Sequence, residues 1–159
     1  MTALTPAAAS SQIQERFGVS PAAEGAELSV AVPLARWPEL AEFARDTLGC
    51  RYFNWLTAVD WKEQGLEVLA RLDNLDARLA VTMRVRLEPG ISRCPTLTGV
   101  FRGADWMERE CYDMFGVVFE GHPDLRRILL DQDWEGHPLR KDYAIGRIPV
   151  QFKAAPRVR

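Results

Sequence analysis

The sequence predicts a two-layer α+β domain, a mixed or antiparallel sheet of about four strands with helices on one face, followed by an extended C-terminal arm. Three observations predict it. Residues 66–72 and 79–87 alternate apolar and polar side chains around a short polar break, the pattern of an antiparallel hairpin with one face in the core and one in water. The strand-like segments follow one another through hairpins, leaving the helical segments to lie on one face of the sheet. After residue 116, Pro123, Pro138, Pro149 and Pro156 punctuate a stretch with little apolar periodicity. Long structureless loops are uncommon inside a compact domain, so this stretch reads as an arm laid on another protein.

Taken in order, Thr5 and Pro6 cap and open a short helix through Ile13 and Phe17, and Gly18 closes it. Residues 20–25 read as a loop. In 27–32, Leu28, Val30 and Val32 share one side of a strand that Pro33 ends. Residues 37–48 form an amphipathic helix with Leu40, Phe43, Ala44, Thr47 and Leu48 on one face, stopped at Gly49. Aromatic and β-branched residues make 52–61 a strand. The hairpin then places Leu66, Val68, Ala70 and Leu72, with Leu79, Val81, Met83, Val85 and Leu87, on its inner face, residues 74–77 forming the turn. Residues 97–101 suit a short helix, and 105–115 a longer one ended by Gly116. The expected division is an N-terminal segment with a short helix (1–24), an α+β domain (25–116) and a partner-binding arm (117–159).

Composition narrows the function classes. At 159 residues the chain suits one domain whose core buries well over half of the unfolded surface. A net charge of −2 provides no global field for nucleic acid. Apolar runs fall far short of the roughly 20 residues that a spanning helix needs, so membrane association is expected only through a partner. No secretory signal is read at the start. Cys50, Cys94 and Cys111 are scattered, which fits reduced thiols and not the clustered thiolates of an iron–sulfur site.

The candidate functional surface is 105–142, with ten acids against five bases and both histidines. Arg109 stands four residues from Asp105 and from Asp113, the spacing of a solvated charge ladder worth a few tenths of a kcal/mol per pair. Met107, Cys111 and Met114 read as the apolar stripe of that helix. Glu110 and Asp113 could face together as an acid/base pair, but no nucleophile or ligand motif stands near them. The segment Glu-Gly-His-Pro occurs at 120–123 and again at 135–138, each followed by a basic pair, Arg126-Arg127 and Arg140-Lys141. Two similar turns explain it most simply. Zinc held by Cys94, Cys111, His122 and His137 would match no known ligand spacing. The four bases suit carboxylates of another chain or plain solvation.

Across 106–143 the sequence resembles one family of NADH-quinone oxidoreductase components, the thirty-kilodalton or C subunit of respiratory complex I. The matching positions are Glu108, Arg109, Glu110, Asp113, Phe115 and Gly116, then Phe119, His122, Pro123, Asp124, Arg126, Arg127 and Leu129, then Trp134, Gly136, Pro138, Leu139, Arg140, Lys141, Asp142 and Tyr143. The likeness is gap-free there and looser elsewhere, covering about residues 25–145. The resemblance implies a peripheral subunit on the cytoplasmic side of the cell membrane, within an enzyme that uses NADH, FMN, iron–sulfur clusters and quinone. It implies no cofactor, metal or catalytic residue in this chain, and partners that include the large quinone-cavity subunit and iron–sulfur subunits. Equivalent subunits of membrane-bound hydrogenases, a free-standing adaptor and a small hydrolase using Asp113 and His122 are the alternatives. Set beside the family, the expectation is a tail after Tyr143 shorter than in many members and a subunit separate from the large one, to which some relatives are fused.

Overall fold

The computed structural model describes residues 4–143. Helix α1 (Pro6–Phe17) starts where Thr5 Oγ1 accepts the Ala8 N–H at 3.2 Å, and it ends at Gly18 in the left-handed region. It buries Ala9, Ile13 and Phe17. The Arg36 guanidinium donates to the carbonyls of Arg16 and Phe17 and to Glu39, joining the end of α1 to the helix that follows. The chain continues through β1 (Ala22–Glu24), β2 (Glu27–Ala31), α2 (Trp37–Asp46), β3 (Tyr52–Asp60), β4 (Leu66–Asn74), β5 (Leu79–Arg86), β6 (Arg93–Pro95), α3 (Ala104–Phe115) and β7 (Val118–Glu120).

The main sheet is mixed and has five strands in the order β1-β2-β5-β4-β3, with β2 and β5 parallel. One more strand than expected appears because 20–25 contains β1. Residues 97–101 form a turn rather than a helix, and β6 and β7 pair in parallel as a second small sheet. The expected start of the arm at 117 stands immediately before β7, and Val117 and Phe119 are buried. The tail beyond 143 lies outside the described residues.

The hairpin register puts one apolar layer across the sheet. Val81 pairs with Leu28 on one side and Leu72 on the other, while Met83 pairs with Val30 and Ala70. These side chains meet Leu40, Ala41 and Ala44 of α2 and Ile13 of α1 in one core. The opposite face is polar and largely self-paired. Arg71 links Glu27 and Asp73, and nearly buried Glu67 takes Arg84 at 3.0 Å and the Trp61 indole N–H at 2.8 Å. Arg84 is therefore more than a solvated charge.

Helix α3 covers the β3 side of the sheet. The outward N–H of Leu56 donates to the Met107 thioether at 3.2 Å, which guards an otherwise open nine-residue edge. That contact is part of the packing of α3 on β3, and α3 in turn organises the candidate site.

Candidate functional site

An α-helix leaves its last four carbonyls without intrahelical partners. In α3 these belong to Tyr112, Asp113, Met114 and Phe115, and the last turn holds no basic residue to answer them. The chain after the helix does so. Gly116 N–H donates to Tyr112, Arg127 Nη1 donates to the Asp113 carbonyl at 3.2 Å, Leu139 N–H donates to Met114 at 3.0 Å, and Arg140 reaches Phe115. His137 Nδ1 also lies 3.0 Å from the Asp113 carbonyl. Arg127 and Arg140 thus place positive charge at the negative end of the helix dipole.

The Asp113 side chain is the centre of this clamp. It is fully buried, and Oδ2 accepts three successive backbone N–H groups, from Ile128, Leu129 and Leu130, at 3.1, 2.8 and 2.9 Å. Oδ1 takes Arg127 Nη1 at 2.6 Å, and the other end of that guanidinium donates to the carbonyls of Trp134 and Gly136. Burial alone opposes ionisation of Asp113, but the Arg127 guanidinium and the three amides outweigh it and hold the carboxyl below its ordinary range. Arg127, expected to take a partner's carboxylate, takes one from its own chain.

The two Glu-Gly-His-Pro segments do similar work. His122 Nδ1 accepts the Asp124 N–H, which leaves Nε2 facing the Asp105 carbonyl at 3.2 Å. His137 meets the Asp113 carbonyl eight residues further along the same helix. Gly116, with φ +75°, lies so close to His137 that a Cβ there would stand 2.6 Å from the ring. Pro138 is half-buried beside this contact, whereas Pro123 is exposed. Arg109 makes neither of its expected ladder pairs. Its guanidinium crosses to the carbonyls of Arg126 and Arg127, because Asp113 lies on the buried side and Asp105 meets His122. Arg126 pairs with Asp124 in the open, and Glu110 is exposed and away from any acid/base role with Asp113.

Farther along, Lys141 N–H donates to Asp60 Oδ2 at 2.8 Å, which ties the arm to the end of β3. Arg140 leans on Asp142, and the Tyr143 hydroxyl reaches the Glu135 carbonyl. Asp60, Lys62, Glu63, Arg140, Lys141 and Asp142 line an open groove of about 440 Å³. Among the described residues no three His, Cys, Asp or Glu side chains gather to hold a metal. Burial raises the thiols of Cys94 and Cys111 and pushes Cys50 up to about 12.

Glu108 is a second buried carboxyl on α3. It accepts from Thr96 Oγ1 at 2.5 Å and from Leu97 N–H at 2.6 Å, and so fixes the turn between β6 and α3. Burial is the larger influence, and it lifts this carboxyl from 4.5 to about 7 against those two hydrogen bonds. A raised carboxyl means the folded chain binds the extra proton. The associated stability is complete below pH 4.5 and is lost as pH rises through about 7. Glu108→Gln keeps an acceptor for Leu97 and a group for Thr96 without the charge. The stability difference between the variant and the natural chain should therefore grow by on the order of 3 kcal/mol between pH 4 and 8, in the variant's favour. Urea midpoints across that range test this, and parallel curves would show that Glu108 titrates normally. Sequence reading missed Glu108 as a core residue, Asp60 as an anchor and His137 as a clamp residue. The available signals were an acid at the Ala104, Cys111, Phe115 spacing and the repeated His.

The fold and the site define an α+β domain whose helix α3 is clamped by the segment that follows it. The match to known proteins is specific. The family model for the respiratory-chain NADH dehydrogenase 30-kilodalton subunit matches residues 30–148, and the chain belongs to that family. It is 41% identical over 135 residues to the C subunit of NADH-quinone oxidoreductase from Salinispora arenicola, an alignment spanning 81% of this chain and 55% of that protein. The same component from a Roseiflexus species is 42% identical, with 79% and 75% covered. The chain thus spans about half the length of the Salinispora relatives it matches. The trypsin-resistant fragment of Nqo5 superimposes with a TM-score of 0.61 at 26% identity, over 72% of this chain and 98% of that one. A chain of an archaeal membrane-bound sulfane sulfur reductase gives 0.74 at 25% identity, over 85% and 83%.

Proposed function

We propose that the chain is a non-redox structural subunit in the hydrophilic arm of a proton-translocating NADH-quinone oxidoreductase. In this reading it supports electron transfer from NADH to quinone by packing against the large quinone-cavity subunit and neighbouring iron–sulfur subunits. One observation carries the reading beyond family membership. The family-motif residues Asp113, Gly116, Arg109, Arg127 and His122 are spent on locking 121–143 against α3, which supports reading the motif as one that shapes a surface. NADH, FMN, clusters and quinone would be held by the other subunits. Among the described residues no helix is long and apolar enough to cross a membrane. The chain would sit peripherally on the cytoplasmic side of the cell membrane, attached through the complex. The likeness to the sulfane sulfur reductase chain supports a second reading, the equivalent subunit of a related respiratory membrane complex such as a hydrogenase.

A tagged chain expressed in its own cells and purified from membranes in mild detergent should bring down flavin- and NADH-binding subunits together with the quinone-cavity subunit. A nickel-enzyme or sulfur-reducing subunit in their place would select the second reading. Recovery of the chain alone from intact membranes would leave a free-standing adaptor and refute both.

A further inference from the structure

The clamp turns some apolar side chains inward and fixes others outward. Leu125 and Leu130 pack on the core. Leu129 and Leu139 have their backbone N–H groups held by Asp113 and Met114, yet their side chains are 63% and 52% exposed. Trp106, two turns before Asp113 on α3, is 69% exposed. Because hydrogen bonds pin the backbone at both leucines, neither can rotate into the core without breaking the clamp. Apolar groups presented on a rigid frame are pre-organised for association.

The charge around them is one-sided. Of the five bases in 105–142, four are spent, Arg109 on two carbonyls, Arg126 on Asp124, Arg127 on Asp113 and Arg140 on Asp142, and only the exposed Lys141 side chain joins no salt bridge among the described residues. Among the described residues, Glu110, Asp131 and Asp133 join no salt bridge, and all three are exposed. Glu110 is one turn from Asp113, and Asp131 follows directly on the three residues that Asp113 holds. Three free acids against the one free base, Lys141, leave the unpaired charge in this region net acidic, the reverse of what the basic pairs suggest.

We infer that Trp106, Leu129 and Leu139, with Glu110, Asp131 and Asp133, form a docking face for a basic segment of a partner subunit, one carrying Lys or Arg between apolar side chains. The inference rests on the subunit reading above and names the chemistry of the partner. Apolar contact would supply the attraction, and the acids would select the partner and its register.

The test uses the complex purified through a tag on the full chain. Carbodiimide joins a carboxylate to a lysine amine with no spacer, and peptide mass spectrometry identifies the pair. The expected product links Asp131 or Asp133 to a lysine of another subunit and disappears in Asp131→Asn/Asp133→Asn. Asp131→Lys/Asp133→Lys should lower partner recovery by at least about tenfold, since like charges across an interface cost more than the 1.4 kcal/mol that a tenfold change represents. The melting temperature of the free chain should stay unchanged. Loss of recovery without a cross-link still supports the face, through an arginine partner. A cross-link only to a lysine of the same chain (Lys62, Lys141 or Lys153), or full recovery of partners with the double lysine variant, overturns it while leaving the subunit reading intact. If nothing copurifies with the unaltered chain, the subunit reading falls and the docking face falls with it.

Discussion

Asp113→Ala should destabilise the chain by about 3–5 kcal/mol and release the clamp, because it removes one half of a buried ion pair and leaves the other half behind. Arg127 is only 10% exposed, so its guanidinium would keep three carbonyl contacts, at residue 113, Trp134 and Gly136, but lose its counter-charge. The N–H groups of Ile128, Leu129 and Leu130 would lose their shared acceptor in the same step. Asp113→Asn keeps the shape and should cost less, since its amide oxygen still faces the three amides. The natural chain should show the same dependence on acid. The Asp113 carboxyl is held below its ordinary range, so its contribution is present above the unfolded value near 4 and is lost as pH falls through the lower folded value. Urea unfolding gives the energies, and limited proteolysis reports the clamp, with new cuts expected between 121 and 143 in Asp113→Ala. An unchanged midpoint together with an unchanged digestion pattern would mean that the arm is held by something other than this carboxylate.

The parts of the fold that were legible are those whose order leaves a period. Hairpin β4–β5 alternates strictly, and Thr5-Pro6 and Gly18 bracket α1 by cap chemistry that needs no tertiary context. Strands β1, β6 and β7 are three residues each, too short for any alternation to show. Leu97 and Phe101 have helical spacing, yet the backbone between them turns, because Glu108 holds Thr96 and Leu97 from the side.

The candidate site was half legible for a related reason. Motif positions pointed to 106–143, but the clamp is built from side chains bound to backbone groups, and these leave no hydrophobic pattern. The ladder rule at Arg109 assumes that both acids are solvated, and Asp113 is buried. Arg109, Arg127 and Arg140 looked available because they also take carbonyls of α3 and of the arm itself, which a sequence does not display. Order in 121–143 thus comes from satisfying a helix terminus rather than from burying a stripe, and the arm is ordered without a period.

Val81→Asp should cost at least about 4 kcal/mol, the loss expected when an unpaired carboxylate enters a packed apolar site. Val81 is fully buried at the middle of the sheet, between Leu28 of β2 and Leu72 of β4, which are fully buried as well. No cation lies on this face of β5, whose inward neighbours are Leu79, Met83 and Val85, so the new acid must either stay neutral or open the core. Arg84→Asp lies on the opposite face and should cost less, about 1–3 kcal/mol. It leaves Glu67 without its nearer cation and sets a second acid beside it, although Arg86 remains 3.8 Å from Glu67 and the position borders solvent. The two variants separate the faces more sharply than either alone. Equilibrium urea unfolding of each, with slopes compared to confirm a shared unfolded state, should place Val81→Asp well below Arg84→Asp. Equal losses, or a greater loss for Arg84→Asp, would mean that β5 turns its other side to the helices, and with it the register on which the position of α3 and the clamp depends.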